Sequence, residues 1–305
     1  MNKMRKIIFD TDPGHDDALA LMLLVKSSMF DIKSVTTVAG NAGIQEVTNN
    51  ARFLLDLLKV NIPLFSGAMK PLKRDLIMAN VHGKGGLAGA DVKKKEKLNG
   101  LAVDKIIEIV RANPNEVSLV VVGPETNIAE AFLKDKELPS LVKEIVIMGG
   151  AIEVPGNKNR VAEFNIFVDP EAARIVFDAD VRKILVPLDR CNEIPLFLKD
   201  FDRLEGSQLH KPVMAMMRHF IKGIAKFEGV EGALVYDALA AYYLVNPNAY
   251  KLEKMDVRIE TEGELTRGMS VADRRTWGER KPNVEVVVDI DRDKFVEDFI
   301  ETLKR

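Results

Sequence analysis

Residues 6–18 read Lys6-Ile7-Ile8-Phe9-Asp10-Thr11-Asp12-Pro13-Gly14-His15-Asp16-Asp17-Ala18. Lys6 to Phe9 is a short apolar run, which predicts a buried strand. From Asp16 to Lys26 the apolar residues Ala18, Leu21, Met22 and Val25 recur at helical spacing. Pro13-Gly14 supplies the turn between the two elements. A buried strand that turns directly into a helix opens an α/β unit, and the rest of the chain repeats that pattern.

Ile32–Val38 reads as a second strand and Gln45–Leu58 as the helix after it, with Ile62–Phe65 as a short third strand. Leu101–Arg111 is a predicted helix stopped by Asn113-Pro114. Val117–Val122 is nearly all apolar, as a central parallel strand is. Ile128–Leu133 is helical and Glu144–Met148 a strand. Pro170–Phe177 is a helix with Asp169 as N-cap and proline at its first position. Lys183–Val186 returns to strand. The expectation is one α/β domain over residues 1–305: a single open, mainly parallel, Rossmann-like sheet with helices on both faces. No Pro/Gly/Ser linker and no internal repeat divides it. A mostly helical segment around residues 190–236 is expected beside the site, as a cap or wall.

Ligands of parallel sheets collect at the carboxyl ends of the strands. Unusual polar residues stand at those ends: Asp10, Asp12, Asp16 and Asp17 after the first strand, Gly40-Asn41 after the second, and Gly123-Pro124-Glu125-Thr126-Asn127 after Val117–Val122. Gly149-Gly150 follows Glu144–Met148, and a loop with Asn157, Glu163 and Asn165 comes next. Four carboxylates in eight residues repel one another, and a hard divalent cation with oxygen ligands relieves that repulsion. The plainer reading makes Asp16 and Asp17 a helix cap, since negative charge is favoured at a helix N-terminus, but a cap needs only one of the four. The Asp10-Thr11-Asp12 pattern also occurs in magnesium phosphohydrolases with an aspartyl nucleophile. The second acidic pair fits that chemistry poorly. Gly83-Lys84-Gly85-Gly86 lacks a phosphate-loop pattern and follows no clear strand.

Composition excludes other classes. The 305 residues are 47% apolar and 30% charged, with 44 basic and 46 acidic side chains and a net charge of −2. No basic footprint for nucleic acid or an anionic membrane is present. Lys93-Lys94-Lys95 sits beside Glu96 and reads as a solvated loop. No stretch approaches the ~20 apolar residues that span a bilayer. Cys191, the single cysteine, forms no intrachain disulfide, and the N-terminus carries no secretory leader pattern, so a cytoplasmic protein is expected.

The ordered set of motifs resembles the nucleoside hydrolase family. Asp10-Thr11-Asp12-Pro13-Gly14-His15-Asp16-Asp17-Ala18 looks like its N-terminal signature. Val38-Ala39-Gly40-Asn41, Val81-His82-Gly83, Gly123–Ala129, Met148-Gly149-Gly150, Ala162-Glu163-Phe164-Asn165 and Asp237-Ala238-Leu239-Ala240 resemble its later motifs in the family's order. The resemblance implies the family's fold and hydrolysis of the N-glycosidic bond of ribonucleosides with calcium (Ca2+) as cofactor. It implies that Asp12, Asp17, Asp237 and the backbone carbonyl of Thr126 hold the ion, with Asp12 as general base on the attacking water. Asp16, Asn41, Asn157, Glu163 and Asn165 would bind the ribose, Met148 and Phe164 would form apolar walls, and Asp10 would support the ligands from behind. His82 is a candidate substrate contact. Relatives are commonly dimers or tetramers, so the resemblance implies a homo-oligomer whose partner is otherwise only a small ribonucleoside.

One position departs from the pattern. Many members carry a histidine before the last metal aspartate, where it helps protonate the leaving base; here Tyr236 stands there. Tyrosine, with an ordinary pKa near 10, is a poorer acid at neutral pH. Its ring can stack on a purine, as in purine-specific relatives, so purine nucleosides are expected to be preferred, with a pyrimidine or non-specific hydrolase as the alternative. Phe220 and Phe227 lie seven residues apart and suit either a lid or a helix core. Trp277 is expected to pack in the core or at an interface, and Tyr242 and Tyr243 to pack internally.

Overall fold

A computed structural model describes residues 4–93, 95–275 and 277–305. Lys94, in the middle of the Lys93–Lys95 run, and Thr276, beside Trp277, lie outside the described residues. β1 (Arg5–Thr11) leads through Pro13-Gly14 into α1 (His15–Ser27), followed by β2 (Phe30–Thr37), α2 (Ile44–Leu57) and β3 (Leu64–Ser66). After a long connection come α3 (Ala102–Ala112), β4 (Val117–Val121), α4 (Thr126–Lys134), α5 (Leu138–Leu141) and β5 (Glu144–Met148). The next unit is α6 (Phe164–Val168), α7 (Pro170–Asp178) and β6 (Lys183–Val186). Then follow α8 (Leu188–Cys191), β7 (Pro195–Leu196), α9 (Leu198–Asp202), α10 (His210–Phe227), β8 (Ala233–Leu234) and α11 (Tyr236–Val245). The chain closes with β9 (Tyr250–Met255), β10 (Val257–Ile259), β11 (Ser270–Ala272), β12 (Val284–Ile290) and α12 (Arg292–Lys304).

Eight strands form the central sheet in the order β3-β2-β1-β4-β5-β6-β12-β9. All neighbours run parallel except β12 and β9, which pair antiparallel at one edge. The chain steps outward from β1 to β2 and β3, then returns to the other side of β1 with β4 and steps outward again. The order therefore reverses between β1 and β4, and a crevice opens at such a switch point beyond the strand ends. Asp10 and Val122, the residue after β4, meet there, with Val122 N–H donating to the Asp10 carbonyl at 2.9 Å.

Alternation along β1 assigns its side chains to two cores. Ile7 and Phe9 pack with α1, α11 and α12; Ile8 packs on the opposite face with α3, α4 and α7. Both faces of the sheet are thus covered, as the apolar strands require. α1 is buried from His15 to Leu24, held between the sheet and α11. A helix hydrophobic nearly all round belongs in such an interior.

The predicted elements up to β6 are all present, with ends shifted by at most two or three residues. β3 begins at Leu64 and not at Ile62 because Pro63 has no N–H to give the ladder. In the 190–236 segment α10 is the dominant helix, and β7 and β8 clasp its two ends by pairing Pro195 with Leu234 and Leu196 with Ala233. Tyr242 and Tyr243 are buried as expected. Of the two places expected for Trp277, the core is ruled out: the side chain is 69% exposed. It lies between β11 and β12 among Arg274, Arg275, Glu279 and Arg280, with no helix or strand of its own to bury it. No helix among the described residues is long and apolar enough to cross a membrane.

Asp169 does what an N-cap should and more. Its carboxylate accepts from Ala172 N–H at 3.0 Å, from Leu72 N–H at 2.8 Å and from the Thr126 hydroxyl at 2.7 Å. It therefore joins the start of α7, the 68–100 connection and the start of α4. Asp169→Ala strands all three donors, and urea unfolding is expected to show a loss of about 2–4 kcal/mol.

Candidate active site

The turn after β1 builds the floor. Asp17, on the first turn of α1, accepts from Gly14 N–H at 2.8 Å and from Asn41 Nδ2 at 3.2 Å through Oδ2. Its Oδ1 accepts from the Thr11 hydroxyl and from Asp12 N–H. The capping role is therefore real, and Asp17 alone fills it. Asp12 Oδ2 accepts from Asn41 N–H at 2.6 Å, while Oδ1 is buried without a protein partner. The Asp12 carboxylate occupies the side-chain space of two glycines. A Cβ on Gly40 would fall 2.2 Å from Oδ2, and one on Gly123 would fall 2.8 Å from Oδ1. Asp10 turns away from the cavity, with Oδ1 accepting from Thr36 and from Asn127 Nδ2. That orientation fits support and leaves no exposed aspartyl nucleophile of the phosphohydrolase kind.

α11 packs on α1, so Asp237, on its first turn, meets Asp16 and Asp17. One carboxylate oxygen from each of Asp16, Asp17 and Asp237 lies within 4.8 Å of the others, and all three side chains are buried. At the effective dielectric of protein sites, each close pair of full charges costs about 3 kcal/mol. Three pairs cost about as much as a whole domain's stability. Helix N-termini offset a fraction of this. Burial, then neighbouring acids, push the Asp12, Asp16 and Asp237 carboxyls well above the usual range. The adjoining Asp17 carboxyl adds to the rise at Asp237. A divalent cation would let all of them ionise. The donor set is entirely oxygen, and Asp12 Oδ1 and Asp16 Oδ1 are buried with no partner, so the residues fit a hard cation such as calcium.

A cavity of about 250 Å³ opens above this floor. Asp16, Asn41, His82, Met148, Asn157, Glu163, Phe164, Asn165 and Tyr236, the predicted substrate contacts, all line it, together with Asp237. Asp10, Asp12, Asp17 and Thr126 do not line it and lie fully buried. Glu163 caps α6: its oxygens accept from Asn165, Ile166 and Gly150 N–H at 2.8–3.1 Å. Burial still raises its pKa to about 7, as it does that of Asp10. Asn165 Nδ2 donates to the Val122 and Met148 carbonyls, tying β4 to β5 at the crevice. Asn157 Oδ1 accepts from Phe164 N–H at 3.0 Å.

His82 is packed against His15, Nδ1 to Nδ1 at 3.0 Å, and Phe220 of α10 stacks on both rings at about 5 Å. Its Nε2 lies 3.9 Å from Asp16 Oδ1. Phe220 and Phe227 both line the cavity, the first buried and the second half exposed. Sequence reasoning missed Asn80, Lys158, Ile224 and Glu228, which also line it. Glu228 belongs to no motif. Only the closure of α10 over the crevice brings it to Tyr236, whose hydroxyl lies 3.2 Å from Glu228 Oε2 and 3.0 Å from Asn192 Oδ1.

Comparison with known proteins identifies the family and the fold. The family model described as inosine-uridine preferring nucleoside hydrolase matches residues 7–297. A pyrimidine-specific ribonucleoside hydrolase, RihA, of Salmonella newport is 36% identical over 98% of each chain. Among solved structures, a plant nucleoside hydrolase superposes with a TM-score of 0.92 at 29% identity over 99% of each chain. A purine-preferring ribonucleoside hydrolase from Gardnerella vaginalis gives 0.91 at 26% identity over 98% of each.

Two outcomes test the floor. A carboxyl whose folded pKa is raised adds stability below its unfolded value and loses it as pH rises through the folded value. Asp10 and Glu163 are raised from 3.8 and 4.5 to about 7. The melting temperature of chelator-treated protein is therefore expected to fall between about pH 4 and 7, and added calcium to restore it more at pH 8 than at pH 5. A flat metal-free profile by scanning calorimetry would contradict the raised acids. Gly40→Ala is expected to displace Asp12 and to cut kcat/KM on nucleosides at least ~100-fold, with near-native circular dichroism.

Proposed function

The chain belongs to the inosine-uridine preferring nucleoside hydrolase family and is a nucleoside hydrolase, and from that premise we propose that it cleaves the N-glycosidic bond of ribonucleosides to ribose and free base with calcium at the acidic floor. The observation that carries the reading is the buried Asp16, Asp17 and Asp237 group directly beneath a cavity of nucleoside size. Asp12, Asp17, Asp237 and the Thr126 backbone carbonyl would hold the ion, and the grouping of Asp16 with Asp17 and Asp237 brings its carboxylate to the same point. When bound, calcium would supply the positive charge that keeps these carboxylates ionised together and acidifies a water molecule.

The protein's own groups do the rest. Asp12 accepts the proton of the attacking water; Oδ1, its unpartnered oxygen, is free for it. Asp16 and Asn41 bind ribose hydroxyls on the side of the floor. Asn157, Glu163 and Asn165 hold the remaining ribose oxygens. As the bond to the base breaks, positive charge develops on the sugar, and the surrounding carboxylates and amide oxygens stabilise it. A deoxyribose would leave buried polar groups unpaired, which disfavours it. Met148 and Phe164 exclude water from the ring.

For the base, the aromatic wall of Phe220, Phe227 and Tyr236 supports a purine. A second reading, pyrimidine preference, is favoured by the RihA relative, which at 36% is more similar in sequence than the purine-preferring structure at 26%. Steady-state kinetics on inosine, guanosine, adenosine, uridine and cytidine separates them. Purine preference predicts a kcat/KM for inosine above that for uridine by about tenfold, or 1.4 kcal/mol; the reverse ratio establishes the pyrimidine reading. Chelation is expected to abolish ribose release from every substrate, and calcium to restore it. Asp12→Ala is expected to lose at least ~1,000-fold in kcat. Full activity of either the chelated enzyme or this variant would overturn the assignment.

A further inference from the structure

We propose that Glu228 is the acid that protonates the departing base, an inference that rests on the nucleoside hydrolase reading of the cavity. The cavity has a polar ribose side, with Asp16, Asn41, Glu163 and Asn165, and an apolar side, with Phe220, Ile224 and Phe227 of α10. Three lining groups that can give a proton adjoin α10: His82 stacks on Phe220, Glu228 ends the helix, and Tyr236 bonds to Glu228. Tyr236 is a weak donor. Its hydroxyl is held by Asn192 and Glu228, and burial beside Glu228 raises its pKa further. His82 is buried against His15 and kept neutral. The N–H of a neutral imidazole is a far weaker acid than an imidazolium.

Glu228 differs in its setting. It is the residue on which α10 ends, with its backbone N–H still bonded to the Ile224 carbonyl at 2.8 Å. The carboxyl end of a helix carries partial negative charge and disfavours a carboxylate. Burial acts in the same direction and outweighs the hydrogen bond from Tyr236, which opposes it. These are the conditions that turn a glutamate into a general acid near neutral pH. Oε2 lies 3.2 Å from the Tyr236 hydroxyl, and no hydrogen bond to Oε1 is present among the described residues. Tyr236 thus orients the carboxyl and leaves one oxygen for the base. With the proton on Oε1, Tyr236 keeps its donation to Oε2, and the acidic hydrogen stands on the oxygen left for the base.

The step balances. The bond from C1′ to the base nitrogen breaks and its electron pair stays with the base. The Glu228 carboxylic proton moves to a ring nitrogen or carbonyl oxygen of that base. Water adds to C1′ and its proton passes to Asp12. Glu228 is left as a carboxylate and regains its proton from solvent, to which Asp12 releases one.

The test compares leaving groups. 4-Nitrophenyl riboside departs as a stable phenolate and needs no acid, whereas inosine and uridine do. Glu228→Gln is expected to lower kcat/KM on inosine and uridine at least ~100-fold and on 4-nitrophenyl riboside less than ~5-fold. Glu228→Asp, which draws the carboxyl back by one methylene, is expected to show the same selective loss on a smaller scale and guards against a misfolded glutamine variant. Equal losses on both substrate types in a variant that melts like wild type, or no loss on nucleosides, overturns the role of Glu228 alone. If the wild-type enzyme with calcium cleaves none of the three, the hydrolase reading of the cavity falls as well.

Discussion

The mutual repulsion of buried carboxylates is the constraint around which this molecule is arranged. Asp12, Asp16, Asp17 and Asp237 are all buried at the carboxyl end of β1. Left bare and ionised they would cost about as much as the fold's whole stability. The surroundings answer that cost locally. Asp17 collects four donors from Thr11, Asp12, Gly14 and Asn41. α1 and α11 both aim their N-termini at the cluster, where helix dipoles favour negative charge. Gly40 and Gly123 give up side-chain space to the Asp12 carboxylate. Among the described residues the basic side chain at the cluster is His82, 3.9 Å from Asp16, and burial holds it neutral. A cation fits where the protein offers only oxygen.

The same constraint explains why the crevice lies where it does. β1 and β4 stand side by side at the point where strand order reverses. Connections leave this pair in opposite directions, which opens a crevice beyond the strand ends that α10 lines from the far side. Loops after β2, β4 and β5 can then bring Asn41, Val122 and Met148 to a single cavity. Asp10 reinforces this junction from below by joining β1 to Thr36 of β2 and Asn127 of α4. These hydrogen bonds tie three elements together two residues before Asp12.

Much of the fold was legible because its signals are local. Apolar β-branched runs of four to eight residues, separated by helical spacing, identify a parallel sheet without reference to distant residues. Asp169-Pro170 announced a helix start, and Asp169 does cap α7. The last sixty residues were less legible. β9 is amphipathic and antiparallel at the sheet edge, and β12 reaches the sheet between β6 and β9 by long-range pairing. Strand order is a property of non-local contacts, and no local pattern encodes it. Trp277 shows that a large aromatic in a charge-rich loop need not enter the core of its own chain.

For the site, the division is sharper. The acidic character of the floor was legible in the sequence, because four acids in eight residues after a strand form a local motif, and the later motifs follow strand ends that the same periodicity reveals. The sequence also marked polar residues that line the cavity, since they sit in turns next to their strands. Tertiary structure alone decided that Asp16 joins Asp17 and Asp237 within 4.8 Å, because that distance depends on how α11 packs on α1. It alone placed Glu228 against Tyr236. The two are eight residues apart across an irregular turn, and they meet only because β7 and β8 clasp the ends of α10 over the crevice. Local patterns report which charges a turn contains; which of them share one small volume is set by helix packing, a sum of many weak contacts spread along the chain.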